Sequence, residues 1–195
     1  MPGATRKTLL SALAALALVA LGGCGSSHSK VTGGTYAGES GANAPYLDVG
    51  PLTYQVQLSR QLNPYDTEDE AYLRGLTPAQ RRLEPNQEWF AVFVQVYNHD
   101  SHSHLAASDL TIADTQSNRY APITPDATNE FAYRGGLVAG KGRLPVLDSV
   151  AANGATQGAM LLYKILIVSL DNRPLTFRIV DPINPALTAS AELDV

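Results

Sequence analysis

From Leu52 onward apolar and polar side chains alternate, with Leu52, Tyr54, Val56 and Leu58 set against Thr53, Gln55, Gln57 and Ser59. A period of two is that of a strand with one face buried and the other wet. The last residues repeat it, with Leu187, Ala189, Ala191, Leu193 and Val195 against Thr188, Ser190, Glu192 and Asp194. Between them Trp89–Tyr97 (WFAVFVQVY) is apolar on both faces, which predicts a strand at the centre of a sheet. Shorter strands are expected at Asp109–Ala113 and Arg119–Ile123, joined through Gln116-Ser117-Asn118. Hydrophobicity alone leaves Met160–Leu170 open to helix or strand. The turn chemistry of Asn153-Gly154 and Asp171-Asn172 on either side favours a strand over Thr156–Ile165, a bend through Ser169 and another strand over Leu175–Val180.

Helix signals are few and short. Thr77-Pro78-Ala79-Gln80 combines a capping hydroxyl, proline at the first helical position and glutamine at the third. Asp66–Glu70, with Arg74 four residues beyond Glu70, reads as a second short helix with acids at its start. Six to eight short strands with glycine- and proline-rich turns predict an all-β fold. It is expected to be an immunoglobulin-like antiparallel β-sandwich over residues 51–195, with one or two short helices after its first strand.

Ahead of residue 51 the pattern changes. Gly25–Gly50 is rich in Gly, Ser, Ala and Asn and too poor in apolar residues to bury itself, so residues 24–50 are expected to form a flexible stalk. Residues 1–23 have the layout of an export signal: Arg6 and Lys7, then an apolar run of 13 residues from Leu9 to Leu21. That run is shorter than the ~20 residues a membrane span requires. Leu21-Gly22-Gly23-Cys24 closes it as a lipoprotein processing box, with cleavage between Gly23 and Cys24. The box needs cysteine because its thiolate accepts a diacylglycerol group, and small residues before it admit the peptidase. With a further acyl chain such as palmitate on the new N-terminus, each buried methylene contributes ~0.8 kcal/mol, enough for durable attachment. The expected location is the extracytoplasmic face of the cell membrane, held by lipid.

Composition sharpens this picture. Cys24 is the sole cysteine among 195 residues, so disulfides, thiol catalysis and cysteine-ligated metals are excluded once it is acylated. Removing Arg6 and Lys7 leaves 12 basic residues against 18 acidic ones, a formal charge of −6 over 172 residues. Nucleic acid and an anionic membrane surface are poor electrostatic partners for such a surface.

The run EWFAVFVQVYNHDS, whose strand ends in Val-x-Val-x-Asn, is followed by SDLTIADTQSNRYAP, GAMLLYKI and NRPLTFRI. Together these resemble the bacterial secreted immunoglobulin-like domains known as domain of unknown function 4352, common in actinobacterial lipoproteins. The resemblance spans Leu52–Val195 and implies a seven- or eight-stranded sandwich outside the membrane, with no catalytic residues to carry over. Asn63–Gln87 and a histidine-rich loop depart from that pattern.

Three of the four histidines fall within six residues. His99, His102 and His104, with Asp100, could converge on Zn²⁺ or Cu²⁺ from a loop, or serve only as a solvated turn. Asp66, Glu68, Asp69 and Glu70 offer carboxylates to Ca²⁺, but Ala71 stands where a calcium loop takes glycine, and acids at a helix start account for them. Gly38-Glu39-Ser40-Gly41-Ala42 misses the nucleophile elbow at its last position and lacks the flanking strand and helix. Gly135-Gly136 and Gly140-Lys141-Gly142 lack phosphate-loop spacing. Tyr36, Tyr46, Tyr65 and Tyr72 could line a ligand surface or cover the sandwich ends. The chain therefore reads as a non-enzymatic envelope lipoprotein whose domain binds a protein or cell-envelope component. The alternative is an extracytoplasmic metal-binding lipoprotein.

Overall fold

The computed structural model of the protein describes residues 29–37 and 46–194. Its elements run β1 (Ser29–Ala37), β2 (Tyr46–Val49), β3 (Leu52–Leu62), α1 (Thr67–Tyr72), α2 (Pro78–Arg81), β4 (Gln87–Asn98), β5 (His104–Ala106), β6 (Asp109–Ala113) and β7 (Arg119–Tyr120). They continue with β8 (Gly136–Val138), β9 (Arg143–Leu144), α3 (Val150–Asn153), β10 (Ala159–Leu166), a 3₁₀ turn (Ile167–Leu170), β11 (Leu175–Val180) and β12 (Thr188–Asp194). One sheet has the order β1-β12-β11-β6-β7 and the other β10-β4-β3-β2, with β9 extending the β10 side of β4. A two-stranded piece, β5-β8, lies beside them. The fold is an all-β sandwich.

The predicted periods set this arrangement. Strand β4 lies between β3 and β10, and Phe90, Val92, Val94 and Val96 face the inter-sheet core with no exposed surface. Opposite them in that core stand Leu110, Ile112, Phe177, Ile179, Ala189, Ala191 and Leu193. The other face of β4 is apolar because it is also covered. Trp89, Ala91 and Phe93 pack there with Met160 and Leu162 against Tyr72 and Leu73 at the end of α1. The Asn63–Gln87 insertion thus works as a lid over the outer face of the second sheet.

Both short helices begin where the capping chemistry places them. Asp66 accepts from the Glu68 and Asp69 amides. Thr77 and Gln80 form a reciprocal capping box, with Pro78 opening α2. The acids read as a calcium alternative have other employment: Asp69 is buried, pairs with Arg60 and accepts from the Asn63 amide at 2.7 Å. The sequence pattern missed α3, a single turn capped by Ser149 that buries Ala151 and Ala152, since Asn153-Gly154 marks only its end.

The stalk expectation is corrected. Ser29–Ala37 pairs in parallel with the edge of β12, while the other pairs between the described strands are antiparallel. Tyr46–Val49 pairs with β3 and buries Leu47 and Val49 in the core. The domain therefore begins before residue 51. Composition misread both segments because an edge strand needs only backbone partners on one side, and four residues give too short a period to detect. Gly23, Cys24 and the Gly38–Ala42 near miss lie outside the described residues.

Between β5 and β6 the chain passes through Ala107 and Ser108, which belong to no strand, so backbone groups from Ala107 to Leu110 need partners beyond the ladders. Three tyrosines meet that requirement. The Ala107 amide donates to the Tyr54 hydroxyl at 2.7 Å, Tyr133 donates to the Ala107 carbonyl at 2.7 Å, and Tyr163 donates to the Leu110 carbonyl at 2.9 Å. Burial pushes the Tyr54 phenol up to about 12, and raises those of Tyr133 and Tyr163 further. These groups stay protonated in the folded state at pH values where an unfolded tyrosine, with its pKa near ~10, ionises. The stability they contribute is thus complete below pH ~10 and falls above it by ~1.4 kcal/mol per pH unit for each tyrosine. Tyr54→Phe leaves the Ala107 amide without its acceptor, and urea unfolding should show a loss of ~1–3 kcal/mol at neutral pH. The same variant should lose stability less steeply between pH 10 and 12, by one tyrosine's share.

Candidate functional site

Two surfaces carry candidate chemistry. The first is the histidine loop after β4, whose foundation is Asn98, buried at the strand end. Its side-chain amide donates to the carbonyls of His102 (2.7 Å), Val138 (3.0 Å) and Ala139 (3.0 Å), and its Oδ1 accepts from the Asp100 amide at 2.9 Å. One side chain thus ties the loop to the turn between β8 and β9. Gly140 completes the closure, because a Cβ there would stand 2.0 Å from the Ser101 carbonyl oxygen. From that turn Lys141 reaches back to the His99 carbonyl at 2.5 Å.

Within this frame the four predicted ligands separate into two groups. Asp100 gathers two histidines, with Oδ2 at 2.7 Å from His104 Nε2 and Oδ1 at 3.5 Å from His102 Nδ1. The hydrogen bond from His104, helped by the Ser101 amide, holds the Asp100 carboxyl well below the usual carboxylate range. His99 turns away and stacks on Tyr97, with ring centroids 6.1 Å apart and planes 14° from parallel. Among the described residues no group of three or more His, Cys, Asp or Glu side chains is placed to hold a metal ion.

The second surface went unnoticed in the sequence. Loop 127–135 and the segment Leu144–Ala151 enclose a concavity of about 260 Å³, lined in part by Asn129, Tyr133, Arg134, Pro145, Val146 and Ser149. Its walls are fixed by polar anchors. Asn129 donates to the carbonyls of Tyr72 (2.8 Å) and Arg74 (2.9 Å) and accepts from the Phe131 and Ala132 amides at 3.0 Å. Arg134 donates to the carbonyls of Pro125, Asp126 and Asn129, so its charge braces the loop. Along the rim Val146, Leu147 and Val150 are 60%, 63% and 42% exposed. Three large apolar side chains within five residues, turned to solvent beside a braced hollow, are the pattern of a binding surface. Only the apolar residues of LPVLDSV, without strand or helix period between turn residues, hint at it in the sequence.

Of the tyrosines, Tyr65 is almost wholly exposed, Tyr46 half exposed and Tyr72 buried, so they form no common surface. Among the described residues no helix is long and apolar enough to cross a membrane.

No family model matches the chain. No curated protein matches it either. Solved structures similar in outline include the yjhA protein of Bacillus subtilis, at 13% identity and a TM-score of 0.49, over 80% of this chain and 99% of that one. Another is ycdA of the same species, a candidate lipoprotein, at 10% identity and 0.45, over 76% of this chain and 38% of the other. A third is an uncharacterised β-sandwich protein of Clostridium difficile, at 9% identity and 0.43, over 80% and 93%. Likeness this remote concerns outline alone. None of these comparisons supports the resemblance to domain of unknown function 4352.

Asn98→Ala should cost ~2–3 kcal/mol, since it strips three carbonyls and one amide of their partner together. Hydrogen exchange should show the Asp100 amide losing its protection in that variant while the β4 amides between Phe90 and Val94 keep theirs. Uniform loss across β4 would show that Asn98 supports the whole sheet rather than the loop.

Proposed function

We propose that the protein is a non-catalytic, lipid-anchored component of the cell envelope whose sandwich binds a protein or another envelope component on its extracytoplasmic side. The exposed Val146–Leu147–Val150 rim beside the braced hollow carries this reading. Large apolar groups held in water on a fixed frame gain by association, and a preorganised surface loses little conformational freedom on binding. The anchor is read from the Gly23-Cys24 box. The non-enzymatic reading is supported by the site's polar groups: Arg134 and Asn129 are spent on backbone carbonyls and amides, which suits them to shape a surface.

The test uses the full acylated chain in its native envelope. A photo-reactive side chain replacing Leu147 should yield a discrete cross-linked species, and Val146→Ser combined with Val150→Ser in that background should abolish it. An unchanged species in the combined variant would overturn the binding surface. Mass spectrometry of the N-terminal peptide checks the anchor separately, with an acylated Cys24 expected and an unprocessed N-terminus counting against it.

A second reading, zinc or copper binding at the histidine loop, is favoured by one observation: Asp100 already stands within 3.5 Å of His102 and 2.7 Å of His104. Coordination would require His99 to leave Tyr97. Titration calorimetry with Zn²⁺ and with Cu²⁺ should then give heat that the His99/His102/His104 triple alanine variant lacks. Equal heats in the two proteins would remove the metal site.

A further inference from the structure

The strand pairing decides which end of the sandwich lies nearest to residue 24. Ser29 at the start of β1 aligns with Thr188 at the start of β12, so the loop Asp181–Leu187 lies where the chain first joins the fold. Gly50 in the β2–β3 turn packs on the same loop, since a Cβ there would fall 2.2 Å from Asp181 Oδ2 and 3.9 Å from Leu187. Leu52 then aligns with Asn98, which brings the histidine loop to this end as well. The opposite end holds Leu62, paired with Trp89, and beyond it Tyr65 in the connection to α1.

Distances turn this topology into an orientation. Cys24 is five residues from Ser29, so the two Cα atoms are at most ~18 Å apart even if the intervening chain is fully extended. Strand β3 alone has 11 residues and carries the far end roughly 35 Å beyond the near one. A flexible stalk of ~25 residues would have left every face equally free to meet the bilayer. A short leader joined to an edge strand does not.

The near end also carries a group suited to a lipid surface. Ile183 is 77% exposed at the tip of Asp181-Pro182-Ile183-Asn184-Pro185. It is held there because Asp181 Oδ1 accepts from the amides of Ile183 (2.8 Å) and Asn184 (2.6 Å), and the Leu187 amide donates to the Asn184 carbonyl at 2.9 Å. The charged groups that the strand register brings to this end are mixed and more acidic than basic: Asp48, Asp100, Asp109 and Asp181 with Lys141 and Arg143. Attraction to anionic headgroups does not account for a contact here, whereas removal of a rigidly presented isoleucine from water does.

We propose that this end faces the membrane and that the Pro182–Pro185 turn seats Ile183 in the headgroup region of the leaflet holding the acyl chains. The proposal rests on the lipid-anchored reading above and adds to it a fixed face and a contact residue. Because Cys24 is acylated, an introduced cysteine is the sole free thiol, and both Ile183 and Tyr65 are exposed enough to replace without disturbing the core. Ile183→Cys and Tyr65→Cys, each labelled with a small fluorophore on the acylated full chain, are reconstituted into phosphatidylethanolamine–phosphatidylglycerol vesicles containing headgroup-nitroxide lipid. Quenching should be several-fold stronger at position 183 than at 65 and unchanged by high salt. Equal quenching at both positions, stronger quenching at 65, or none at either in protein that floats with the vesicles would overturn the orientation while leaving the anchor intact. Protein that fails to float shows that the anchor itself is wrong and removes the proposal with it.

Discussion

A chain passing toward the second sheet of a sandwich must find partners for its buried backbone outside any ladder, and here that requirement falls on the buried Ala107 and Leu110, either side of the exposed Ser108 and Asp109. An unpaired amide or carbonyl at such a place costs as much as several favourable surface contacts contribute. Tyr54 from β3, Tyr133 from the loop before β8 and Tyr163 from β10 supply the missing partners, while their rings fill the same core as Phe90 and Phe177. Two of these hydroxyls converge on one residue, Ala107. Tyr133 thereby links the crossover to the wall of the braced hollow, which it also lines.

Neighbouring surfaces are arranged with the same economy. Asn98 and Asn129 each use one side chain to bind two separate loops, so that the histidine loop and the 127–135 wall of the hollow are presented on fixed supports. The parallel strand β1 ties Ser29–Ala37 to the last strand of the fold, which relates the proposed anchoring point to one end of the molecule. In the proposed arrangement that end meets lipid, and the Val146–Val150 rim follows β9 along the flank of the sandwich, leading away from that end.

Much of the framework was legible beforehand. The alternation at Leu52–Ser59, the doubly apolar Trp89–Tyr97 run and the alternation after Leu187 correspond to β3, β4 and β12. The ambiguous Met160–Leu170 run divides into strand and 3₁₀ turn at Leu166, close to the expected bend. Caps at Asp66 and Thr77 are local chemistry and were equally readable. Other features were not: β1, β2, the short strands β5, β8 and β9, α3 and the braced hollow. Each takes its stability from residues distant in the chain, and the hydrophobic period of its own few residues is too short or too weak to declare it.

The sequence by itself determined the strand periods, the absence of disulfides and the all-β class, because those depend on side-chain alternation and residue counts within a few positions. Tertiary structure decided that Asn98 and Asn129 are fasteners, that His99 parts from His102 and His104, and that Ser29–Ala37 is an edge strand. The reason is physical: a hydrogen-bonding group's role is set by which unsatisfied partner the fold brings within about 3 Å. That choice is made between segments, never within one.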